Sequence, residues 1–595
     1  MKELEYPFKS EELLRKRKIF KDKLLEKDLS GFKKLKIAVL SGSSVKDVIE
    51  ILELFLLNSG FLPDFYEGDY NRYYEEAVFD NECLDKFNPD IVYVYTTSRN
   101  IRNFPDPDDN QQSIKMSLEE EYSTYEQIWN SLREKYNCVI IQNNFEMTLE
   151  RNFGNMDAVN AQGRLNYING LNALFYSYAS RTDNFKICDI NYLSACYGLN
   201  DWSDSKFWFL YKYALNIKAV PKLAYAVFTI IKSLYGKNKK CIVTDLDNTL
   251  WGGIIAEDGV ENIQIGAETA EGEMYSDVQR YLMKLKKMGV LLAVASKNDE
   301  NIAYVGINSP YMTLKEDDFV SIKANFERKD KNIYDIANEL NILPDSIVFL
   351  DDNPAELMLV KDSIEGVSII SADCCEYVIS RIEESGFFEI SSLTHDDIER
   401  NSMYRAEKKR YEQAGIYADY GEYLKSLEMR ATISAFTPDS YQRITQLTNK
   451  SNQFNLTTHR YTQAEIEEIS LNKAYVTLYG RLEDRFGDNG IVSVVIGRKR
   501  DDILFIELWL MSCRVLKRDM ELAMFDSLVS VAKKNGVKSI EGVYIPTAKN
   551  KMVKTFYENL GFRFKGDGEN NSTLWELWLN ESLNTKNKYI SVKMK

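Results

Sequence analysis

The stretch CIVTDLDNTLWGG, residues 241–253, places two carboxylates directly behind a run of apolar residues. A short apolar run is typical of a buried strand, so Asp245 and Asp247 should leave the carboxyl edge of a sheet. VLLAVAS and SIVFLDD, which end at residues 296 and 352, repeat this pattern after an amphipathic run of helical period. Such alternation predicts a doubly wound α/β domain whose ligand site lies where the strands end.

The polar residues behind these three strands suit phosphoryl transfer. That reaction needs a nucleophile, an acid/base, oxygen ligands for Mg²⁺ and groups that hold phosphate oxygens. The charged run ERKDK adds a cation, Lys329 or Lys331, and we favour Lys329 although such runs are usually solvated. The candidate site residues are Asp245, Asp247, Thr249, Ser296, Lys329, Asp351 and Asp352.

DLDNT, followed by Ser296, a lysine and LDDN, resembles the haloacid dehalogenase (HAD) superfamily of phosphatases, subfamily IIIC. The resemblance implies that Asp245 attacks phosphorus and that Asp247 is the general acid/base. The Mg²⁺ ligands that it implies are Asp245, Asp247 through its backbone carbonyl, Asp351 and Asp352, and the phosphate-binding groups are Thr249, Ser296 and Lys329. The gaps between the motifs are too short for a large lid domain, so we expect an open site for a bulky or protein-borne substrate, or one covered by a neighbouring domain.

Further segments resemble the FkbH-like family, which is associated with glyceryl transfer onto acyl carrier proteins in polyketide-type pathways. They are DLDNTLWGG, EDGV, FLDDNPAE, NKSNQFNLTTHRY, EDRFGDNGIVSVVI, WLMSCRV and YIPTAKNKMVKTFYENLGF. The resemblance implies a bifunctional glyceryl transferase/phosphatase. Such an enzyme takes a glyceryl unit from 1,3-bisphosphoglycerate, removes phosphate through an aspartyl-phosphate and loads the carrier's phosphopantetheine thiol. The alternative is a stand-alone Mg²⁺-dependent phosphatase of a soluble phosphorylated metabolite.

The chain changes character after about residue 395. A charged helical stretch precedes AYVTLYGR, GIVSVVIGR and DILFIELWLM, which read as an antiparallel meander, and helices and a strand follow. This α+β domain resembles the GNAT acyltransferase fold. Cys513 in MSCRV is the candidate thiol for acyl transfer, because thiolates attack acyl phosphates and exchange thioesters. The alternative for Cys513 is a small buried cysteine, and His459 is expected to be structural or exposed.

The GNAT resemblance departs from its pattern at the loop that would bind coenzyme A. In that fold a glycine-containing loop before a helix presents N–H groups to the pyrophosphate. The segment RVLKRDME has Lys517 and Asp519 where the motif R/Q-x-x-G-x-G/A has small residues. These side chains would crowd the phosphates and Asp519 would repel them, which disfavours free coenzyme A more than a carrier-borne pantetheine.

The first part of the chain is predicted to be another α/β domain. LKIAVL, DIVYVY and CVIIQ are its strand-like runs, separated by stretches of helical length. The domain resembles the SGNH-hydrolase-like region that often precedes this phosphatase domain, with Ser41, Ser43 and Ser44 after the first strand. A serine hydrolase needs a histidine base, and no histidine precedes residue 395. We therefore expect a non-catalytic assembly domain whose serines cap the next helix.

The chain is thus expected to hold two successive Rossmann-like three-layer domains, 1–235 and 236–395, followed by the α+β domain at 396–595. Its formal charge of −15 argues against general affinity for nucleic acid or anionic membranes. The eight scattered cysteines suit a reducing compartment, and no apolar run reaches the ~18 residues of a membrane span. A cytoplasmic enzyme is expected, with an acyl carrier protein and a small phosphorylated three-carbon acyl donor as partners.

Overall fold

A computed structural model describes residues 1–414, 417, 419–451, 453–547, 549–579 and 583–595. The chain divides into two compact units, Met1–Lys232 and Ser233–Lys595. Within the described residues no helix combines the length and the apolar character that crossing a bilayer requires.

The first unit is built on a five-stranded parallel sheet with the strand order β2-β1-β3-β4-β5. Its strands are β1 (Lys33–Ser41), β2 (Phe61–Glu67), β3 (Ile91–Tyr95), β4 (Val139–Asn143) and β5 (Phe185–Cys188). Its helices are α1 (Ser10–Leu25), α2 (Lys46–Asn58), α3 (Tyr73–Val78), α4 (Glu82–Phe87), α5 (Gln111–Lys135), α6 (Arg164–Ala179), α7 (Ile190–Tyr197), α8 (Leu199–Trp202), α9 (Ser205–Tyr211) and α10 (Val220–Leu234). The α/β class predicted for this part of the chain is confirmed.

The serines after β1 do not cap the next helix, so that prediction is wrong. Helix α2 begins after Val45 and has no side-chain cap. Ser44 instead donates its hydroxyl to the carbonyl of Tyr211 at 2.7 Å, and the hydroxyl of Ser43 is buried without a hydrogen-bond partner among the described residues. The N-cap position of α2 is therefore Val45, one residue after the last of the serines.

The second unit opens with another five-stranded parallel sheet, in the order β10-β9-β6-β7-β8. Its strands are β6 (Cys241–Thr244), β7 (Leu291–Ser296), β8 (Ser321–Ala324), β9 (Ile347–Asp351) and β10 (Ser368–Ser371). Its helices are α11 (Ile255–Asp258), α12 (Ala270–Lys287), α13 (Glu300–Ile307), α14 (Lys329–Glu339), α15 (Pro354–Ser363) and α16 (Val378–Glu384). The α/β class is confirmed here as well. The three strands foreseen from sequence, β6, β7 and β9, are adjacent in the middle of the sheet.

The remainder of the second unit forms a mixed nine-stranded sheet. Its strands are β11 (Arg430–Ser434), β12 (Phe454–Asn455), β13 (Tyr475–Asp484), β14 (Gly487–Arg500), β15 (Ile503–Met511), β16 (Ser539–Tyr544), β17 (Arg563–Asp567), β18 (Thr573–Trp578) and β19 (Ser591–Met594). Its helices are α17 (His395–Ile398), α18 (Arg400–Ala414), α19 (Tyr420–Ser426), α20 (Pro438–Lys450), α21 (Gln463–Leu471), α22 (Met520–Lys534) and α23 (Phe556–Leu560). The predicted α+β class and the antiparallel run β13-β14-β15 are confirmed.

Apolar side chains on both faces of the mixed sheet are covered by helices. One face packs against α22 through residues such as Met524 and Leu528, and the other packs against α20 and α21. The strands β15 and β16 pair in parallel only over Ile503–Ile506, and the short strand β12 pairs with the far end of β15 instead. The two central strands therefore separate towards the end at which β15 leads into Cys513.

Candidate active site

The carboxylates of the DxD motif and of the third strand meet around a buried lysine. The ammonium of Lys329 donates to Asp245 Oδ2 at 2.7 Å and to Asp351 Oδ2 at 2.5 Å. These side chains are almost fully buried, with exposed fractions of 7% for Asp245, 3% for Lys329 and 0% for Asp351. Because β6 and β9 are parallel neighbours, their carboxyl ends bring the two aspartates together, and the first residue of α14 supplies the cation.

The carboxylates of this centre carry more negative charge than its one lysine neutralises. Burial raises the pKa of Asp351 to about 6, helped by the charge of Asp245 and opposed by Lys329. Burial and Asp245 also raise the pKa of Asp352. Burial disfavours the ammonium of Lys329, yet the attraction of Asp245 and Asp351 outweighs it and raises the pKa of Lys329. One ammonium thus faces three carboxylates, a deficit that a divalent cation would fill.

The geometry of the carboxylates fits such a cation. Asp245, Asp351 and Asp352 each offer an oxygen, and these oxygens lie within 4.8 Å of one another. Asp245 Oδ1 is buried and has no hydrogen-bond partner among the described residues, so one oxygen at the centre is left for a metal or a substrate. Carboxylate oxygens are the ligands that Mg²⁺ prefers. These three residues are therefore the ones that would hold the Mg²⁺ implied by the HAD resemblance.

The second aspartate of the motif, Asp247, is held in place by three donors. Its Oδ1 accepts from the indole N–H of Trp251 at 2.9 Å and from the backbone N–H of Ile255 at 3.1 Å. Its Oδ2 accepts from the side-chain amide of Asn298 at 2.8 Å, and the same amide group lies 3.3 Å from Ser296 Oγ. Asp247 is less buried than Asp245, so the motif pairs a buried carboxylate with a more exposed one that is held in place.

Asn298 and Trp251 were not among the residues proposed from sequence. A signal for Asn298 existed, because it lies two residues behind Ser296 at a strand end that already carried a candidate. Trp251 lies inside the quoted motif, and its ring is fully buried. Both side chains act on Asp247 through hydrogen bonds that only the folded loop defines.

The remaining predicted residues of this site also lie near the strand ends. Ser296 ends β7 and is buried, and the buried hydroxyl of Thr249 has no partner among the described residues. Lys331, the alternative to Lys329, is exposed and pairs with Glu327. Of the two lysines, only Lys329 contacts the carboxylates.

No inserted lid domain separates the motifs. Between β6 and α12 the chain forms only a loop and the one-turn helix α11, and between β7 and β9 it forms α13, β8 and α14. The loop after β6 is held by hydrogen bonds of its own, such as Gly253 N–H to Asn248 Oδ1 at 2.9 Å.

Cys513 lies away from the carboxylates. It begins a single 3₁₀ turn, Cys513–Val515, behind the end of β15, and it is partly exposed. Its carbonyl accepts from the side-chain amide of Asn341 at 3.0 Å. Asn341 follows the C-terminal end of α14, whose first residue is Lys329, so the helix separates the two centres. Arg514 belongs to the same turn. His459 is exposed.

Comparison with known proteins supports both parallel domains. Residues 36–232 match the family model described as FkbH, N-terminal domain. The chain is 27% identical to the N-terminal part of the protein BF1531 from Bacteroides fragilis, whose crystal structure contains a phosphatase domain complexed with Mg. That likeness has a TM-score of 0.58 and covers 65% of this chain and 100% of the other.

Acetyltransferase structures match about a quarter of the chain. The ribosomal-protein-S18-alanine N-acetyltransferase from Escherichia coli is 14% identical, with a TM-score of 0.21, over 26% of this chain and 99% of its own. Ard1 from Thermoplasma volcanium is 17% identical, with a TM-score of 0.21, over 25% of this chain and 99% of its own. No curated protein matches the chain significantly. The FkbH match covers residues 36–232, which contain none of the FkbH-like motifs quoted above. It therefore confirms the FkbH-like resemblance in a second part of the chain.

Proposed function

We propose that the chain is a bifunctional glyceryl transferase/phosphatase that loads an acyl carrier protein. The observation that carries the phosphatase half is Asp245 itself, which has one oxygen bound to Lys329 and the other buried without a partner among the described residues. An ion-paired, oriented carboxylate beside two further acidic groups is what nucleophilic attack on a phosphate requires. The BF1531 structure, which holds Mg beside a phosphatase domain, supports the same assignment.

In the proposed reaction an oxygen of Asp245 attacks the phosphorus of the phosphate ester, and the bond from phosphorus to the substrate oxygen breaks. Asp247 gives its proton to that leaving oxygen. Asp247 then takes a proton from water, whose oxygen attacks the aspartyl-phosphate and releases inorganic phosphate. When bound by Asp245, Asp351 and Asp352, Mg²⁺ supplies positive charge for the phosphate oxygens. The three donors to Asp247 fix the direction in which it exchanges the proton.

Cys513 carries the acyl-transfer half of the proposal. Its thiolate attacks the carbonyl carbon of the acyl phosphate, the bond from carbon to the phosphate oxygen breaks, and inorganic phosphate leaves behind a thioester. The pantetheine thiol of the carrier then attacks this thioester and frees Cys513. The partial exposure of Cys513 supports this role, because a fully buried cysteine could not meet a carrier.

The loop that would bind coenzyme A supports a carrier as the acceptor. Lys517 and Asp519 have φ angles of 63° and 59°, so the backbone takes the left-handed conformation for which glycine is suited, but both residues bring side chains. The hydroxyl of Tyr420 in α19 donates to the carbonyl of Lys517 at 2.5 Å. Side chains thus stand where the pyrophosphate of free coenzyme A would approach, and a carrier-borne arm has no pyrophosphate.

Carrier loading tests the proposal. Purified protein, Mg²⁺, 1,3-bisphosphoglycerate and a phosphopantetheinylated carrier should give a glyceryl adduct on the carrier by intact-protein mass spectrometry. Asp245→Asn removes the nucleophile and should lower phosphate release by about 10³-fold or more. Phosphate release at the wild-type rate in this variant would refute the assignment of Asp245.

Cys513→Ala separates the two halves. We expect it to stop carrier loading while phosphate release from a small phosphate ester continues, because Cys513 does not contact the carboxylate centre. If the wild-type protein releases phosphate from many small esters and never loads a carrier, the stand-alone phosphatase is the better description. Normal loading by Cys513→Ala would exclude an obligatory thioester at this residue.

A further inference from the structure

A basic cavity lies between the amino end of the second parallel sheet and the mixed sheet. Its volume is about 90 Å³, which is room for several water molecules or a phosphate-sized group. Among the described residues, the cavity lining includes a single carboxylate, Asp345, which is itself paired with Lys549. The basic side chains that line it are Lys240, Arg400, Arg443, Lys450 and Arg514.

This positive charge is only partly neutralised. Arg400 and Lys450 share one carboxylate, that of Asp397, the latter at 3.2 Å. Lys240 and Arg514 form no ion pair with any carboxylate in the part of the chain that the structure describes. Cations gathered in a partly buried space repel one another and lose hydration, so the arrangement is costly without an anion.

The pKa values of the lysines reflect the same excess of positive charge. Burial, together with the charges of Arg400 and Arg443, lowers the pKa of Lys450 to about 7, and Asp397 opposes this shift. Burial also lowers the pKa of Lys240; the charge of Arg400 lowers it further, and Asp345 acts against that shift. An oxyanion in the cavity would relieve both lysines.

Cys513 lines this cavity, and the cavity lies at the opposite end of the sheet from the phosphatase carboxylates. Lys240 directly precedes the four-residue strand β6 and Asp245 directly follows it, so five residue-to-residue steps of extended chain, ~16 Å, separate them. Asp345 likewise lies before the amino end of β9, whose last residue is Asp351. A three-carbon ligand cannot reach both ends at once, so Cys513 and Asp245 serve separate binding sites.

We propose that this cavity is an anion site that holds a phosphate group beside the Cys513 thiol. The proposal deepens the acyl transfer proposed above and rests on it only for the identity of the ligand. The phosphate could come from the small acyl donor or from the pantetheine arm of the carrier, since both present the same chemistry. In either case the basic side chains hold the phosphate group while the thiol faces the atom to be acylated or deacylated.

Alkylation of Cys513 tests the site without donor or carrier. The full-length protein is treated with iodoacetamide, and the modification of each cysteine is measured by peptide mass spectrometry. Inorganic phosphate at ten times its Kd should slow modification of Cys513 by about tenfold and leave the exposed Cys83 and Cys196 unaffected. Equal rates with and without phosphate would overturn the proposal.

Two variants and a second reagent sharpen the test. Lys240→Met should weaken protection by phosphate about tenfold, whereas Lys331→Met, which removes an exposed lysine elsewhere, should not. In the wild-type protein, the rate of alkylation by negatively charged iodoacetate divided by the rate with iodoacetamide should be about tenfold higher at Cys513 than at Cys196. That ratio needs no variant, so a misfolded Lys240→Met protein leaves the proposal testable. A ratio no higher at Cys513 than at Cys196 counts against it.

Two further protection experiments identify the source of the phosphate. Protection by 3-phosphoglycerate at lower concentrations than inorganic phosphate would identify the donor, and protection by 4′-phosphopantetheine would identify the carrier arm. Both results support an anion site. Phosphate protection without any carrier loading would leave the cavity assigned and reject the proposed function, whereas loading without protection would do the reverse.

Discussion

At the scale of single residues, the site depends on side chains that hold the reacting carboxylates. Asn298 donates to Asp247 at 2.8 Å, and removing it leaves the carboxylate with two donors. A hydrogen bond to a charged group contributes about 1.5–3 kcal/mol. We therefore expect Asn298→Ala to lower kcat for phosphate release by about 10- to 100-fold with little change in KM. The exposed Asn308→Ala is a matched control and should keep the wild-type kcat. A rise in KM with an unchanged kcat would mean that Asn298 contributes to substrate binding and does not position Asp247.

Lys329 makes a second prediction at this scale, because it neutralises two buried carboxylates. Lys329→Met would leave Asp245 and Asp351 facing each other without a cation, which should destabilise the metal-free protein by about 3–5 kcal/mol. Mg²⁺ should restore part of that loss. Urea unfolding with EDTA and with Mg²⁺ measures both effects. Lys331→Met on the same helix should change the unfolding free energy by less than about 0.5 kcal/mol. Equal effects of the two variants would contradict the ion-pair assignment.

At the scale of elements, the sequence predicted the central strands of both parallel sheets but not their edge strands. β6, β7 and β9 are buried on both faces and read as continuous apolar runs, whereas the edge strands β8 and β10 are partly exposed. β2 contains Pro63 and β5 has four residues, and both lie at edges of the first sheet. Edge strands have one solvated side, so their sequences lack the pattern that identifies a buried strand.

Helix geometry explains why the sequence alone could not decide whether Lys329 or Lys331 faces the carboxylates. Residues i and i+2 of a helix point to nearly opposite sides, so Lys329 and Lys331 could not both face the carboxylates. Which of them does so depends on where α14 begins and how it is rotated against β9, and a charged run does not encode that. Cys513 was harder still, because its surroundings come from segments far apart in the chain, including Asn341 and Lys240.

The loop before α22 gives a prediction at this scale. Lys517 and Asp519 take left-handed backbone conformations, so replacing both by glycine keeps the backbone and removes only the side chains. We expect free coenzyme A to bind the wild-type protein with a Kd weaker than about 1 mM, and the Lys517→Gly/Asp519→Gly protein to bind it at least about tenfold more tightly. Isothermal titration calorimetry measures both. Micromolar binding by the wild-type protein would show that the side chains do not block the loop.

At the scale of the whole molecule, the second unit carries two charged centres at opposite ends of one parallel sheet. Asp245 follows β6 and Asp351 ends β9, whereas Lys240 and Asp345 lie before the amino ends of these strands. The first centre has excess negative charge and suits a cation, and the second has excess positive charge and suits an anion. In the proposed function, a glyceryl unit is processed at both centres and must move between them. This favours a donor or carrier that can exchange, rather than one that stays in a single fixed pose.

Lys450 makes the anion site dependent on pH, and this gives the last prediction. Its pKa is lowered to about 7 from the usual value of 10.5, so it is charged below pH 7 and neutral above. The charged groups that face it are Asp397, which stays ionised because its own pKa is lowered, and the guanidinium groups of Arg400 and Arg443. An anion binds best to the protonated lysine, so its affinity should fall as pH rises from 6 to 8.

Sulfate is the suitable probe for this effect, because it does not itself titrate near neutral pH as phosphate does. Calorimetry of the full-length protein should find sulfate affinity about tenfold lower at pH 8 than at pH 6, with proton uptake on binding at pH 7.5. Lys450→Met should bind sulfate more weakly at pH 6 and lose the pH dependence, while Lys331→Met should keep both. Because sulfate also stabilises proteins nonspecifically, the comparison between these variants, rather than any rise in Tm, decides the outcome. Affinity that does not change with pH in the wild-type protein would remove Lys450 from the site and leave the remaining cations to hold the anion.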